Sequence, residues 1–279
     1  MRYLPDVNTG KEIWKMVEFD SLNDFVSYIT TTPINKSFKQ NRKNDLSSEK
    51  PNKKNWSGTD SFQDAVDLMR NGWSIGAKRL EQSLKVSQNS MQVKTEAKQI
   101  LSMCGYQAVV PLYLNGVPNN MINKKLTPVK QKVITINKAL SASNSVSSKT
   151  LEDESVKCFQ IIKKIEESGI RINLNLVIST GHVCVKIRLK SANERLNVSK
   201  LAFPLVHVSM FRRLYFKFIE VFPTIPLSYT WGYGRVPSEA EFKKALGKNE
   251  ILLPTLLCGS HESEITKLSV DELIAKLSK

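Results

Sequence analysis

The chemistry open to this chain starts with three histidines, His182, His207 and His261, and four cysteines, Cys104, Cys158, Cys184 and Cys258. Cys258-Gly259-Ser260-His261 sets two metal-ligating side chains at tight spacing. Zinc takes four protein ligands, or three and a water, and nothing near that pair supplies the others. The cysteines are far apart and form no C-x-x-C pair, so neither a zinc ribbon nor a dithiol redox motif is written locally. Cys158 lies in a helical pattern and Cys184 in a strand pattern, which suits buried free thiols in a reducing compartment. A magnesium nuclease centre of the topoisomerase-primase kind wants an acid after one strand and D-x-D after another. No D-x-D occurs. The acidic run Glu152-Asp153-Glu154 falls in the first turn of a helix, where carboxylates complement the macrodipole. Phosphate binding by a glycine-rich turn needs more than Trp231-Gly232-Tyr233-Gly234-Arg235, which lacks a third glycine and reads as a structural turn. The sequence thus nominates no catalytic residue, no cofactor and no metal. A cryptic hydrolase, with His207 or His261 meeting acids in space, remains the third-ranked reading.

Charge is the stronger signal. Forty-one Lys and Arg against 26 Asp and Glu give the 279 residues a net charge of +15. Such a field favours phosphate backbones, acidic lipid headgroups or acidic proteins, although it also serves plain solubility. Three cationic surfaces are candidates for nucleic acid, DNA or RNA. The first is a polar arm carrying Lys36, Lys39, Arg42, Lys43, Lys53 and Lys54, with almost nothing apolar to bury. The second is Lys186, Arg188 and Lys190 on a strand read as a sheet edge, where alternation sends all three to one side; lysines there also block sheet-to-sheet aggregation. The third is Arg212-Arg213, for which pairing with acids such as Glu220 is the competing expectation. Aromatic side chains supply a different surface. Trp56, Phe62 and Trp73, or the loop with Tyr106 and Tyr113, are candidate docking points for a protein partner or a second copy.

Those residues must be held by elements that hydrophobic periodicity places as follows. Ser21 caps a helix with Leu22, Phe25, Val26 and Ile29 on one face, within an N-terminal helical segment 1–32. A basic flexible linker covers 33–55. A helical and irregular region covers 56–128: one helix starts at Thr59 or Ser61, buries Phe62, Ala65, Val66, Met69 and Trp73, and stops at Gly72. Tyr106 to Leu114, broken by Gly105, Pro111, Gly116 and Pro118, gives short extended pieces and turns. An α/β domain covers 129–279. It has a strand at Val133–Ile136 and a helix burying Val156, Phe159, Ile162 and Ile165. Two alternating runs, Ile170–Ile178 and Val183–Leu189, then form a hairpin. A helix at Met210–Phe222, a strand at Pro226–Thr230, a helix from Ser238, a strand at Ile251–Leu257 and a helix capped by Ser269 complete the order. This predicts a mostly parallel sheet with an antiparallel edge hairpin and flanking helices, plus a small helical N-terminal region. Nothing at the N-terminus looks like a signal peptide, and no run approaches a membrane span, so a cytoplasmic, membrane-free protein is expected.

Three strings carry a resemblance. They are Trp56-Ser57-Gly58-Thr59-Asp60-Ser61-Phe62-Gln63-Asp64-Ala65 with Gly72-Trp73, then Cys104-Gly105-Tyr106 with Val110 to Pro118 and Met121, and finally Met210-Phe211-Arg212-Arg213-Leu214 with Phe216 and Glu220. Together they resemble a signature of uncharacterised proteins from phages and mobile elements, to which no activity attaches. The order from Val133 to Phe222 also resembles a von Willebrand factor A domain. The metal motif of that fold, D-x-S-x-S, is here Asn137-Lys138-Ala139-Leu140-Ser141, without its carboxylate and first hydroxyl, so the resemblance implies a lost metal site. The leading expectation is a non-enzymatic binding protein that associates with nucleic acid without sequence preference. A protein-interaction or virion-assembly scaffold is the alternative.

Overall fold

The alternation at residues 170–190 is one hairpin of a six-stranded sheet, and the chain enters that sheet at its N-terminus. The structure, a computed structural model, describes residues 1–35, 48–49, 54–83, 95–128, 132–142, 146–223, 233, 235–247, 250–253 and 272. Strands β1 (Arg2–Asn8) and β2 (Ile13–Phe19) form an antiparallel hairpin and lead into α1 (Leu22–Thr31). A single turn, α2 (Lys54–Ser57), precedes α3 (Phe62–Asn71) and α4 (Ser74–Ser83). A separate three-stranded sheet follows. It contains β3 (Thr95–Ser102), β4 (Gln107–Ala108) and β5 (Met121–Pro128), with the short helix α5 (Val110–Leu114) at its tip. Then come β6 (Val133–Ala139), α6 (Ser148–Glu167), β7 (Arg171–Ser179), β8 (Val183–Lys190), α7 (Val198–Val206), a π-helical turn (Met210–Tyr215) running into α8 (Phe216–Val221), α9 (Glu239–Ala245) and β9 (Glu250–Leu253).

The large sheet runs β1-β2-β8-β7-β6-β9. The pairings β2 with β8, β6 with β7 and β6 with β9 are parallel, whereas β1 with β2 and β7 with β8 are antiparallel. The fold is therefore α/β, with a mostly parallel sheet, an antiparallel hairpin and flanking helices. One expected feature is corrected: β8 is not an edge, because β2 pairs along it from Lys15 opposite Val183 to Phe19 opposite Ile187. The N-terminal segment is likewise a hairpin followed by a helix. Its strands escape a period-two reading because β2 is buried on both faces, Trp14 and Met16 on one and Val17 and Phe19 on the other. In β1, Pro5 falls within a register irregularity between Leu4 and Val7.

The helices gather on one face of this sheet. Val17, Phe19, Ile134, Ile136, Ile172, Leu174, Leu176, Val185 and Ile187 pack there beneath α1, α6, α7 and α8. The caps are those the sequence offers. The Ser21 side chain accepts from Asp24 N, and Ser61 forms a reciprocal box with Asp64. Ser147 starts the 20-residue α6, which Gly169 ends with a φ of 88°. Helices α3 and α4 join the same core through Ala65, Val66, Ala77 and Leu80, so residues 56–83 pack as part of the α/β body. The other face is covered in part by α9, where Phe242 meets Trp14 edge to face at 5.4 Å between ring centroids.

Candidate docking surface

Two of the three strings meet inside the molecule. The π-helical turn presents Arg212 and Arg213 inward, both fully buried, towards the segment Trp56–Asp60. Arg212 donates to Trp56 O at 2.6 Å and to Val146 O at 2.6 Å, and its guanidinium lies 4.7 Å from the centre of the Trp56 ring. Arg213 donates to Ser48 O at 2.8 Å, Thr59 O at 2.9 Å and Asp60 O at 3.1 Å. The Ser209 hydroxyl donates to Ser57 O and shares a hydrogen bond with Thr59 Oγ1 at 3.1 Å. Gly58 fits this junction because its φ of +81° is left-handed, and a Cβ there would sit 2.6 Å from Val208 Cγ1. The arrangement is a clasp: two fork-shaped donors satisfy main-chain carbonyls of three chain segments that have no ladder to join. Burial lowers the Arg212 pKa to about 10, which leaves the side chain charged at neutral pH.

This clasp removes Trp56, Phe62 and Trp73 from the docking surface. Trp73 is buried against His207, and Trp56 and Phe62 pack onto the core. Arg212 and Arg213 bind backbone carbonyls here, neither phosphate nor Glu220. The buried Glu220 instead accepts from the backbone N–H and hydroxyl of Ser48 and from the Tyr233 hydroxyl.

The strand cations are engaged as well. Lys186 reaches Glu250 at 2.9 Å within a polar row that continues from Glu250 to Asn137 and from Asn137 to Asn175. Arg188 pairs with Asp20 at 3.3 Å. Lys190 does not share their face. A register shift between Leu174 and Asn175 turns it under α6, where it meets Glu166 at 2.6 Å and Ile172 O at 3.1 Å. Lys36, Lys39, Arg42, Lys43 and Lys53 lie outside the described residues, as does the Lys54 side chain. So do Cys258, His261 and the strand and helix expected at 226–230 and after Ser269. Ser48 and Glu49, which fall within the segment read as a linker, are held on the body by Arg213, Glu220 and Lys217.

The remaining chemistry resolves into packing. His207 is sandwiched by Phe203 and Trp73, and burial lowers its pKa to about 4. Cys158 and Cys184 are buried free thiols, and burial raises Cys184 to about 12. Lys138 is fully buried and donates to Ala139 O. Among the described residues no three His, Cys, Asp or Glu side chains gather as ligands, and no helix is long and apolar enough to cross a membrane. A cleft of about 710 Å³ between α1, α3 and α7 is lined by Arg70, Arg188, Lys200, Asp20 and Glu194 among others, and no histidine lines it.

The third string is the exception. From Ala97 to Lys125 no side chain is buried. Tyr106 is 56% exposed, Tyr113 67%, Leu114 76% and Met103 70%, with Val110 and Leu101 also open. The arm holds itself together through its backbone. β3 pairs with β5 from Thr95 opposite Pro128 to Ser102 opposite Met121, and β4 adds two residues on the other side. Within the tip, the N–H groups of Tyr106, Val109, Leu112, Tyr113, Asn115, Gly116 and Val117 all donate to tip or β5 carbonyls. Gln99 to Asn123 is a run of 25 residues without one charge. At the chain's 24% charged content, about six would be expected. Lysines stand behind the run on both faces: Lys98 lies opposite Lys125, and Lys124 lies opposite Gln99 and 5.4 Å from the Tyr106 ring centre. The exposed apolar loop was legible in sequence; its lysine row was not, because no helical or strand amphipathicity marks it.

No curated protein and no solved structure matches this chain. A family model described as a domain of unknown function, DUF7192, matches residues 9–278. That span takes in the clasp, the arm and every strand of the large sheet except β1, and the chain belongs to the DUF7192 family.

Proposed function

We infer that the protein is a non-enzymatic binding protein whose contact element is the 95–128 arm. The observation that carries this reading is the exposed, charge-free tip. Exposed apolar patches of this kind mark interaction sites, and here the tip bonds seven of its own amides internally, which lowers the cost of burial against a partner. The scaffold reading therefore moves ahead of the nucleic-acid reading. The test is sedimentation of tagged full-length chain in extract of the cells that make it. The wild type runs with a larger assembly or a membrane pellet, and Tyr113→Ser with Leu114→Ser runs as the free 31.6 kDa chain. Both running as the free chain would refute the reading.

Nucleic-acid association stays as a second proposal because the net charge is +15 and the sequence places Lys36, Lys39, Arg42, Lys43, Lys53 and Lys54 close together. It predicts binding that weakens steeply with salt, and an anisotropy titration at low salt that shows none ends it. The von Willebrand factor A-like reading of the body is supported by parallel β7, β6 and β9 beside antiparallel β8, and is set apart by the β1–β2 hairpin beyond β8. A phage or mobile-element setting is part of the same proposal and rests on the three strings alone.

A further inference from the structure

Resting on that reading of the arm, we propose that the surface it docks on is an anionic lipid membrane, entered shallowly by the tip. The first support is symmetry about the arm. Ile100 and Leu101 are neighbours on a strand and so point to opposite faces, and both are exposed. The lysines also occupy both faces, Lys98 and Lys125 on one and Lys124 on the other. A protein groove takes one face of a sheet, whereas a lipid layer surrounds an inserted element on every side. The second support is spacing. Lys124 lies three residue steps along β5 from Met121, which puts the apolar tip about 10 Å ahead of the lysines. Interfacial elements bury their apolar part ~5–10 Å into the headgroup and acyl boundary, with basic side chains left at the headgroups. The third is charge. Lys98 directly opposite Lys125 is a like-charge pair that costs stability in isolation, and among the described residues no ion pair reaches either side chain. Anionic headgroups relieve it, while a second copy of a +15 chain adds to it. Finally, the tip's internally bonded amides lower the cost of leaving water.

The experiment is flotation of the full chain with phosphatidylcholine vesicles, with and without about one-third phosphatidylglycerol. It is paired with an environment-sensitive dye on Cys104, an exposed tip residue, in a Cys258→Ser background. Anionic vesicles are expected to float the protein and shift the dye to the blue. Tyr113→Ser with Leu114→Ser should weaken partitioning roughly 30-fold or more, and Lys124→Ser with Lys125→Ser should weaken it roughly tenfold. All four side chains are exposed, so unchanged thermal melts are expected. Flotation that is indifferent to the tip variant, with no dye shift, would mean adsorption by general charge and would overturn the proposal. No flotation, with arm-dependent sedimentation in extract intact, overturns the lipid and leaves a protein as the occupant. Loss of both would remove the docking reading itself.

Discussion

Arg212 offers the sharpest test of whether the paired strings around Trp56 and Met210 act in folding or in recognition. Its guanidinium holds Trp56 O and Val146 O, each at 2.6 Å, and faces the Trp56 ring. Removing it strands Val146 O away from water at ~1–3 kcal/mol, leaves Trp56 O with only the Ser148 hydroxyl as donor at a further ~1 kcal/mol, and loses a desolvated cation–π contact of ~1–2 kcal/mol. Part of this is offset, because a buried cation lacking a carboxylate partner is itself costly to desolvate. Arg212→Ala should therefore destabilise the fold by about 3–4 kcal/mol. With a urea slope of ~3 kcal/mol per molar for a chain of this size, the midpoint falls by about 1 M. The series Lys, Met, Ala separates the causes. A single ammonium cannot span two carbonyls on different segments, so Arg212→Lys should lose ~2 kcal/mol despite keeping the charge, and Arg212→Met should fall near Ala. A lysine variant as stable as wild type would show that charge alone matters and that the carbonyl account is wrong. An alanine variant within ~1 kcal/mol of wild type would refute the clasp altogether.

Two further predictions concern the same junction. Gly58→Ala meets both a left-handed φ and contacts of 2.6 Å to Val208 Cγ1 and 2.9 Å to His207 Cε1, and should cost ~2–4 kcal/mol. Gly116→Ala shares the positive φ but has open space, and should cost only ~1 kcal/mol; equal losses in thermal melts would mean that backbone strain, not crowding, sets the requirement. His207 is held neutral, with its pKa lowered to about 4, so the unfolded chain takes up its proton first as the pH falls. Its contribution is fully present above the unfolded value near 6.5 and is lost as pH falls towards 4, by about 3 kcal/mol at most. Urea midpoints should drop across that window in the wild type and stay flatter in His207→Gln, which can still accept from Ser209 N; parallel profiles would refute the assignment.

The periodic elements were legible because local rules and tertiary packing agree in them. Ser21, Ser61 and Ser238 cap the helices they precede, and the runs ending at Ile178 and Leu189 pair as the hairpin they suggest. What escaped has a physical reason in each case. β2 is buried on both faces and loses its alternation, and α7 carries Pro204 and an almost wholly apolar surface that mimics no amphipathic helix. The cations failed as a guide for a different reason. Lys186, Arg188, Lys190, Arg212 and Arg213 look alike in sequence, but their fates depend on acids and carbonyls contributed by distant segments such as Glu250, Asp20 and Glu166.

The same limit explains why the three strings gave one message in sequence and two in space. An aromatic residue beside glycine reads identically whether it fills a core or waits for a partner, since the difference lies in what covers it. In the strings at Trp56 and Met210, polar atoms are consumed internally: serine and threonine hydroxyls bond to each other, and arginines bond to main-chain carbonyls. Such a string spends guanidinium and hydroxyl donors on the fold, and altering it should change stability before it changes binding. In the string from Cys104 to Met121, the backbone is satisfied locally while the side chains reach solvent uncharged. That string contributes little to the core, so substitutions such as Tyr113→Ser should leave folding intact and change only what the arm can hold. A substitution series that separates stability from association along exactly this division would assign the two roles independently of any knowledge of the partner.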